Sequence, residues 1–195
     1  DPDLGEHGLP IWEDFDLVLA QNSAAHGIEA YRIASYLNIP LVVLQHCLPP
    51  KELSFNEKEW IKNNIPSATR VYISEMSRSA WENNPEEAFV VRHTVDFDLF
   101  KPDDNIKREN YILSVANQFR ERDFYLNFYG WQRCVNGLPV KLVGDNPGLS
   151  VAANNSKELA KEYKKASIFF NSSIISPIPS SLLDGAASGC AIVST

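Results

Sequence analysis

The chain has 195 residues, of which 44% are hydrophobic and 22% charged, an ordinary globular composition that allows a sizeable core. Its net charge of -7 disfavours nucleic acid as a partner, because phosphate binding needs a clustered basic surface. No apolar run approaches the roughly 20 residues that span a bilayer, and three scattered cysteines indicate reduced, buried thiols and a cytoplasmic setting.

The first half of the chain alternates strands and helices. Strands are predicted at residues 16–20, 41–44, 70–74 and 88–91, and helices at 26–37, 54–63 and 75–83. This alternation with short connections favours a parallel sheet that has helices on both faces. The polar segment 102–110 is predicted to be a linker, so that residues 1–101 form a first lobe.

The alternation restarts in the second half and predicts a second lobe at residues 111–195. Strands are predicted at 111–115, 140–143, 167–170 and 191–195, and helices at 123–135 and 156–166, the latter capped by Ser156. The chain starts without Met and stops in the middle of this pattern, so we expect it to be a fragment.

The stretch 177–195 combines a helix with the last strand, which is apolar and predicted to be buried. Either Ser180 or Ser181 is expected to cap the helix, and Ser181 with Asp184 has capping-box spacing. Gly189 is expected to end it, because a left-handed residue costs glycine least. A loop, a polar helix N-terminus and a strand are the parts of a phosphate-binding site in an α/β sheet.

Four segments together resemble the GT-B glycosyltransferases, and specifically the large family 4. They are residues 92–102 (RHTVDFDLFKP), 111–123 (YILSVANQFRERD), 162–172 (EYKKASIFFNS) and 182–195 (LLDGAASGCAIVST). The resemblance implies an α/β fold of two Rossmann-type, doubly wound parallel-sheet lobes, both incomplete. The chain would hold the end of the acceptor lobe and the start of the nucleotide-sugar donor lobe, with the ligands between them.

The reaction that the resemblance implies is transfer of a sugar, with retention, from a nucleoside-diphosphate sugar to an acceptor glycan, lipid or protein. It implies neither a metal nor a cofactor, and the pair Asp103 and Asp104 is interpreted as solvated charge in the linker. The implied partners are a nucleotide sugar and a glycan or lipid-linked acceptor. The family also suggests peripheral contact with the inner membrane, through an N-terminal half outside this sequence.

The resemblance places donor-phosphate contacts in the loop after the strand 111–115. Arg122 aligns with the basic residue of that loop; the alternative is an ordinary surface arginine. The family's other arginine falls at Asn117, for which Arg120 is a substitute, and Ala116 takes the place of a loop glycine.

The family also has two acids eight residues apart. The second aligns with Asp184, where the family holds the ribose hydroxyls; helix capping is the alternative role. The first aligns with Ser176, whose hydroxyl carries no charge, and a plain loop residue is the alternative there. Ser180 and Ser181 offer hydroxyl and N–H groups to the phosphates.

His46 is the candidate catalytic residue. It follows a predicted strand, at the end where open α/β sheets place ligands. It aligns with the family's histidine that faces the reaction centre from the acceptor side, with Cys47 in place of the next glycine. An imidazole there orients the acceptor or the donor sugar; a structural histidine is the alternative.

Two other functions stay open. Sugar-nucleotide epimerases share this fold, although the extra acids and histidines that they need in the cleft are not found in the sequence. A catalytically degenerate lobe that binds a nucleotide sugar or a partner protein is suggested by the replacements at Ser176, Asn117 and Ala116.

Overall fold

The computed structural model describes residues 15–22, 26–49, 55–81, 88–176 and 178–195. The chain divides into two compact units, Asp1–Arg92 and His93–Thr195. Each unit contains a four-stranded sheet whose neighbouring strands are parallel, as predicted. Among the described residues, no helix is long and apolar enough to cross a lipid bilayer.

The first unit alternates strands and helices as predicted. Its described elements are β1 (Val18–Gln21), α1 (Ile28–Leu37), β2 (Leu41–Gln45), α2 (Phe55–Asn63), β3 (Thr69–Tyr72), α3 (Glu75–Ala80) and β4 (Ala88–Val90). The strands lie side by side in chain order, and because all of them are parallel their carboxyl ends lie at one edge of the sheet. The core between β1, β2 and α1 includes Ala20, Ala34 and Val43, all nearly inaccessible to solvent.

The second unit repeats the alternation with a different strand order. Its described elements are β5 (Glu109–Val115), α4 (Asp123–Leu126), α5 (Phe128–Val135), β6 (Val140–Val143), α6 (Ser156–Lys165), β7 (Ala166–Asn171), α7 (Ser180–Ala187) and β8 (Ala191–Ser194). The strands are ordered β6-β5-β7-β8. Leu113, Tyr163 and Phe169 form the centre of the core beneath this sheet, and none exposes more than 1% of its surface.

Two helix boundaries in the second unit differ from the prediction. The helix predicted at 123–135 is broken at Asn127, whose φ of 57° ends α4 and begins α5. Asparagine tolerates this left-handed conformation better than most residues, so the apolar periodicity continues across the break. Helix α6 is capped by Asn155 and not by Ser156, since the Asn155 side chain accepts a hydrogen bond from the Glu158 N–H.

The predicted linker packs within the second unit. Phe100, which precedes the predicted linker, is also buried in that unit's core, with its ring edge-on to Tyr163 at 5.7 Å. Arg108 donates to the carbonyls of Ala166 and Ser188, where α6 and α7 end. The boundary between the units, after Arg92, therefore precedes the predicted end of the first lobe at residue 101. The polar composition of 102–110 indicated exposed backbone but did not indicate the anchor at Arg108.

Strand β8 is exposed, although its apolar sequence predicted a buried strand. All four of its residues are exposed, Val193 by 49%. Within the described residues β8 is an edge strand that pairs with β7 alone. An apolar run is typical of a strand that is covered on both faces. The prediction of a strand is therefore confirmed, and the prediction that it is buried is wrong.

The three cysteines are free thiols, but their burial was predicted too uniformly. Cys190 is buried, Cys47 is partly buried and Cys134 is exposed on α5. The expectation of buried thiols therefore applies to Cys190 alone.

Candidate functional site

The strand order of the second unit creates a topological switch point between β5 and β7. The chain passes from β5 to β6 on one side and then crosses to β7 on the other. In open parallel sheets, ligands bind outside the carboxyl ends of the strands at such a point. Two loops leave these ends: residues 116–122 follow β5, and residues 172–176 with 178–179 are the described part of the loop after β7.

The buried amide of Asn146 shapes the first loop. This residue is 1% exposed, and its oxygen accepts from the Phe119 N–H at 2.7 Å. Its amide nitrogen donates to the Ala116 carbonyl at 2.7 Å and to the Ser150 hydroxyl at 2.8 Å. Two of these contacts tie the loop after β5 to the turn after β6, and the third fixes the amide within that turn. Sequence reasoning missed Asn146, and the Asn-Pro-Gly turn directly after a strand is the signal that could have found it.

Gly144 allows the turn after β6 to approach the loop after β5 this closely. Its φ is 142°, and a Cβ atom there would lie 1.9 Å from the Ala116 carbonyl oxygen. The family resemblance would place a glycine at position 116, where this chain has alanine. Here the glycine is instead Gly144, which follows the neighbouring strand β6 and faces the Ala116 carbonyl. Any side chain at position 144 would displace the first loop.

Asn117 holds the same turn from the outside. Its side chain is exposed, and its amide oxygen accepts from the Asp145 N–H at 2.8 Å. The residue at the position of the family's second arginine thus makes a structural contact within the loop, and it brings no positive charge.

The two arginines of the loop stack on different rings. The Arg120 guanidinium lies 5.4 Å from the centroid of Phe128, a core residue of α5. The Arg122 guanidinium lies 5.6 Å from the centroid of Tyr125. The Tyr125 carbonyl accepts from the Ile174 N–H at 3.1 Å, so Arg122 is held beside the loop after β7. Of the two cations, Arg122 therefore belongs to the switch point.

Serine side chains hold the second loop in place. Ser172 donates to the Leu126 carbonyl at 2.7 Å, and Ser173 donates to the Tyr125 carbonyl at 3.3 Å. Ser176 is partly buried, and its N–H donates to the Ser173 hydroxyl at 3.4 Å. These bonds tie the loop after β7, including Ser176, to helix α4, which follows the loop after β5.

Helix α7 points its N-terminus at this edge because it follows the carboxyl end of β7. The helix begins at Ser180 with Pro179 as N-cap, and no side chain makes a capping hydrogen bond. The predicted capping box of Ser181 with Asp184 is therefore wrong, since Ser181 lies inside the first turn. Residue 177, at the start of the predicted stretch, lies outside the described residues. A helix start without a side-chain cap offers N–H groups and a partial positive charge to an anion.

Asp184 lies one turn further along α7 and is partly buried. Among the described residues its carboxylate has neither a hydrogen-bond donor nor a cation within bonding distance, and burial raises its pKa from 3.8 to about 6. The carboxylate has no capping role and no partner among the described residues, so its partial burial costs free energy that no contact there offsets. It remains mostly ionised at neutral pH and can accept hydrogen bonds from a ligand.

The other end of α7 is closed as predicted. Gly189 has a φ of 84°, its N–H donates to the Ala186 carbonyl at 3.0 Å, and the Cys190 N–H donates to the Gly185 carbonyl at 3.0 Å. This pair of bonds is a Schellman motif, which confirms Gly189 as the residue that ends the helix.

His46 belongs to the first unit, whereas the other seven predicted site residues belong to the second. It directly follows β2 and is partly buried, and its N–H donates to the side-chain oxygen of Asn22 at 3.0 Å. The neighbouring Cys47 carbonyl accepts from the Trp81 indole at 2.9 Å. His46 is thus anchored at the carboxyl edge of its own sheet, as its position after a strand predicted.

Comparison with known proteins adds structural matches alone. No family model matches the chain, and no curated protein matches it. Anabaena HepE in complex with UDP aligns with a TM-score of 0.64 at 16% identity, over 94% of this chain and 60% of that one. Sucrose-phosphate synthase from Thermosynechococcus elongatus gives 0.63 at 14% identity, over 92% and 56%. The pneumococcal O-GlcNAc transferase GtfA, in complex with UDP and GlcNAc, gives 0.63 at 10% identity, over 91% and 41%.

The chain has a GT-B-type fold. This statement rests on two parallel α/β units that align over more than nine-tenths of the chain. The chain spans between 41% and 60% of the length of these three structures. Identities of 16% and below show the fold alone, because one fold serves many different activities.

Proposed function

We propose that the protein is a retaining glycosyltransferase of the family 4 type, acting without a metal ion. It would transfer a sugar from a nucleoside-diphosphate sugar to an acceptor glycan, lipid or protein. One observation carries the proposal. At the switch point of the second unit, the loop after β7 connects a helix start without a side-chain cap to the α4 segment on which Arg122 stacks, and α7 carries a carboxylate without a partner among the described residues.

Each of these groups suits one part of a nucleoside-diphosphate sugar. The N-terminus of α7, with Ser180 and Ser181 in its first turn, binds the diphosphate, and Arg122 supplies the positive charge. Both stabilise the negative charge that develops on the leaving diphosphate, which is the main electrostatic demand of the reaction. Asp184 accepts hydrogen bonds from the ribose hydroxyls, and Ser176 faces the sugar.

The structural neighbours support this assignment of ligand class. HepE was crystallised with UDP, and GtfA with UDP and GlcNAc. In our proposal His46 orients the acceptor or the donor sugar, and Arg120 and Asn117 hold the first loop in the shape that presents Arg122 to the phosphates. The proposed setting is the cytoplasm, with peripheral contact at the inner membrane when the acceptor is lipid-linked.

A panel of nucleotide sugars, incubated with the full-length protein with and without acceptor, tests this function. We expect nucleoside diphosphate to be released when donor and acceptor are both present, and chelation by EDTA to leave the rate unchanged. The variant Arg122→Ala should weaken donor binding, whereas Arg133→Ala, which removes an exposed arginine of α5, should not. If the full-length protein binds none of the nucleotide sugars, the proposal is wrong.

A second candidate is a lobe that binds the nucleotide sugar and does not turn it over. It is favoured by Asn117, whose amide oxygen is bonded to Asp145 where the family has a cation, and by the neutral Ser176. Binding of a donor without release of the diphosphate, with every acceptor class tested, would select this candidate.

A further inference from the structure

The hydroxyl of Tyr163 is a buried polar group without a hydrogen-bond partner among the described residues. Tyr163 lies on α6 and is 0% exposed. Leaving such a group unpaired costs free energy, whereas a phenylalanine would fill the same space without this cost. The hydroxyl therefore calls for an explanation beyond packing.

Tyr163 packs against Phe169, which also contacts α7, the helix that carries Asp184. Its ring lies 5.4 Å from that of Phe169 in β7. Helix α7 approaches the same ring so closely that a Cβ on Gly185 would lie 2.8 Å from Phe169. Gly185 directly follows Asp184, and burial, with the Asp184 charge as the second cause, raises the pKa of Tyr163. The tyrosine hydroxyl and the carboxylate thus lie near the same contact of α6 with α7.

The packed face of α7 contains a second hydroxyl of this kind. Ser188 lies one turn after Asp184, is 0% exposed, and its hydroxyl has no hydrogen-bond partner within the described part of the chain. The other ionisable groups near the contact are Cys190, which raises the Tyr163 pKa, and Arg108, which is bonded to the Ala166 and Ser188 carbonyls. None of these neighbours supplies a hydrogen-bond donor to the carboxylate of Asp184.

We propose that Tyr163 is a positioning residue for Asp184. In the ligand-bound protein its hydroxyl donates to one oxygen of the Asp184 carboxylate. The other oxygen is then held in place to accept from the ribose hydroxyls of the donor. This inference rests on the proposed function, since it assigns a support to a residue that we place in the donor site. It explains why a buried tyrosine, and not a phenylalanine, stands at this point of α6.

Ribose discrimination measures this role directly. UDP, GDP and ADP are titrated into the full-length protein at pH 8, and the one that binds most tightly is compared with its 2′,3′-dideoxy analogue. The wild type should bind the ribonucleotide about tenfold more tightly than the analogue, because charged hydrogen bonds to the ribose are lost. Tyr163→Phe should bind the ribonucleotide about threefold to tenfold more weakly and the analogue with unchanged affinity.

Tyr111→Phe is the matched control. It removes the hydroxyl of a partly buried tyrosine from the same unit, one that is bonded to Glu162 at 3.2 Å and lies outside the proposed site. It should leave ribose discrimination unchanged. Thermal melting checks the fold, and Tyr163→Phe should melt no lower than the wild type, because it removes an unpaired hydroxyl.

The outcomes separate the inference from the function on which it rests. If the wild type binds none of the three diphosphates, or does not distinguish ribose from dideoxyribose, the donor site itself is misplaced and both fall. If the wild type discriminates and Tyr163→Phe discriminates equally well, the positioning role alone is overturned.

Discussion

Replacing Asp184 with asparagine separates a binding role from a structural one. The carboxylate is partly buried without a partner among the described residues, and burial raises its pKa from 3.8 to about 6. A raised carboxyl pKa means that the ionised form is disfavoured in the folded state. The contribution of this group to stability is therefore complete below about pH 4 and is lost as the pH rises through about 6.

The size of the effect follows from the pKa. A pKa raised from 3.8 to about 6 corresponds to at most about 3 kcal/mol. Because Asp184 retains some solvent access, we expect about 1 kcal/mol. The variant Asp184→Asn keeps the shape and removes the charge. Relative to the wild type, it should gain about 1 kcal/mol of unfolding free energy between pH 4.5 and pH 7.5.

The same variant should bind the donor about tenfold more weakly at pH 7.5, because a neutral acceptor makes weaker hydrogen bonds than a carboxylate. A nucleotide sugar is the right ligand for the pH series, since its diphosphate lacks the terminal phosphate group that titrates near pH 6. Wild-type affinity should fall as the pH drops below about 6, and the variant should lack this dependence.

Urea unfolding and calorimetric titration of both proteins at the two pH values complete the test. A variant that is less stable than the wild type at pH 7.5 would show that the carboxylate supports the fold. A variant of unchanged donor affinity would show that the ribose does not contact Asp184. Either result refutes the reasoning.

Three further predictions concern the loops and their anchors. Donor affinity of Arg122→Ala should fall about tenfold at low salt, with a smaller deficit in 0.5 M salt, whereas Arg133→Ala should match the wild type in calorimetry at both salt concentrations. Arg108→Ala should lower the unfolding free energy by about 3 kcal/mol, because two carbonyls at helix ends lose a charged donor, and Arg108→Lys should restore part of this loss in urea unfolding. Gly144→Ala should displace the Ala116 carbonyl, which lies 1.9 Å from a Cβ at position 144, and should weaken donor binding in the same titration.

The fold was accessible from the sequence because its signals are local. Short, mostly apolar runs of four or five residues between helical periodicities identified every described strand. The errors arose where tertiary contacts decide the outcome. Arg108 anchors a segment whose polarity indicated a linker, and Phe100, just before that segment, is buried in the core of the second unit. The burial of β8 depends on what covers the strand, which its own residues do not encode.

The candidate site was predicted less completely, for a related reason. A resemblance can assign Arg122, Ser176 or Asp184 to positions, and the structure places them on adjoining segments of one sheet edge. The resemblance cannot reveal Asn146 and Tyr163, because their importance lies in partners that are distant in the sequence. Asn146 contacts Phe119 across 27 positions, and this separation carries no periodic signal.

The position of Asn117 also sets how the remaining cation should behave. Its amide oxygen is committed to the Asp145 N–H, and it contributes no charge to a bound diphosphate. The first loop then supplies one cation beside the second loop, Arg122, because Arg120 stacks on a core ring of α5. The N-terminus of α7 adds the equivalent of about half a positive charge.

Removing Arg122 therefore takes away most of the positive charge that we assign to the site. A binding lobe can tolerate that loss in part, whereas a transferase must stabilise the full charge of a departing diphosphate. Turnover should consequently be more sensitive than donor affinity to Arg122→Ala if the protein is an enzyme.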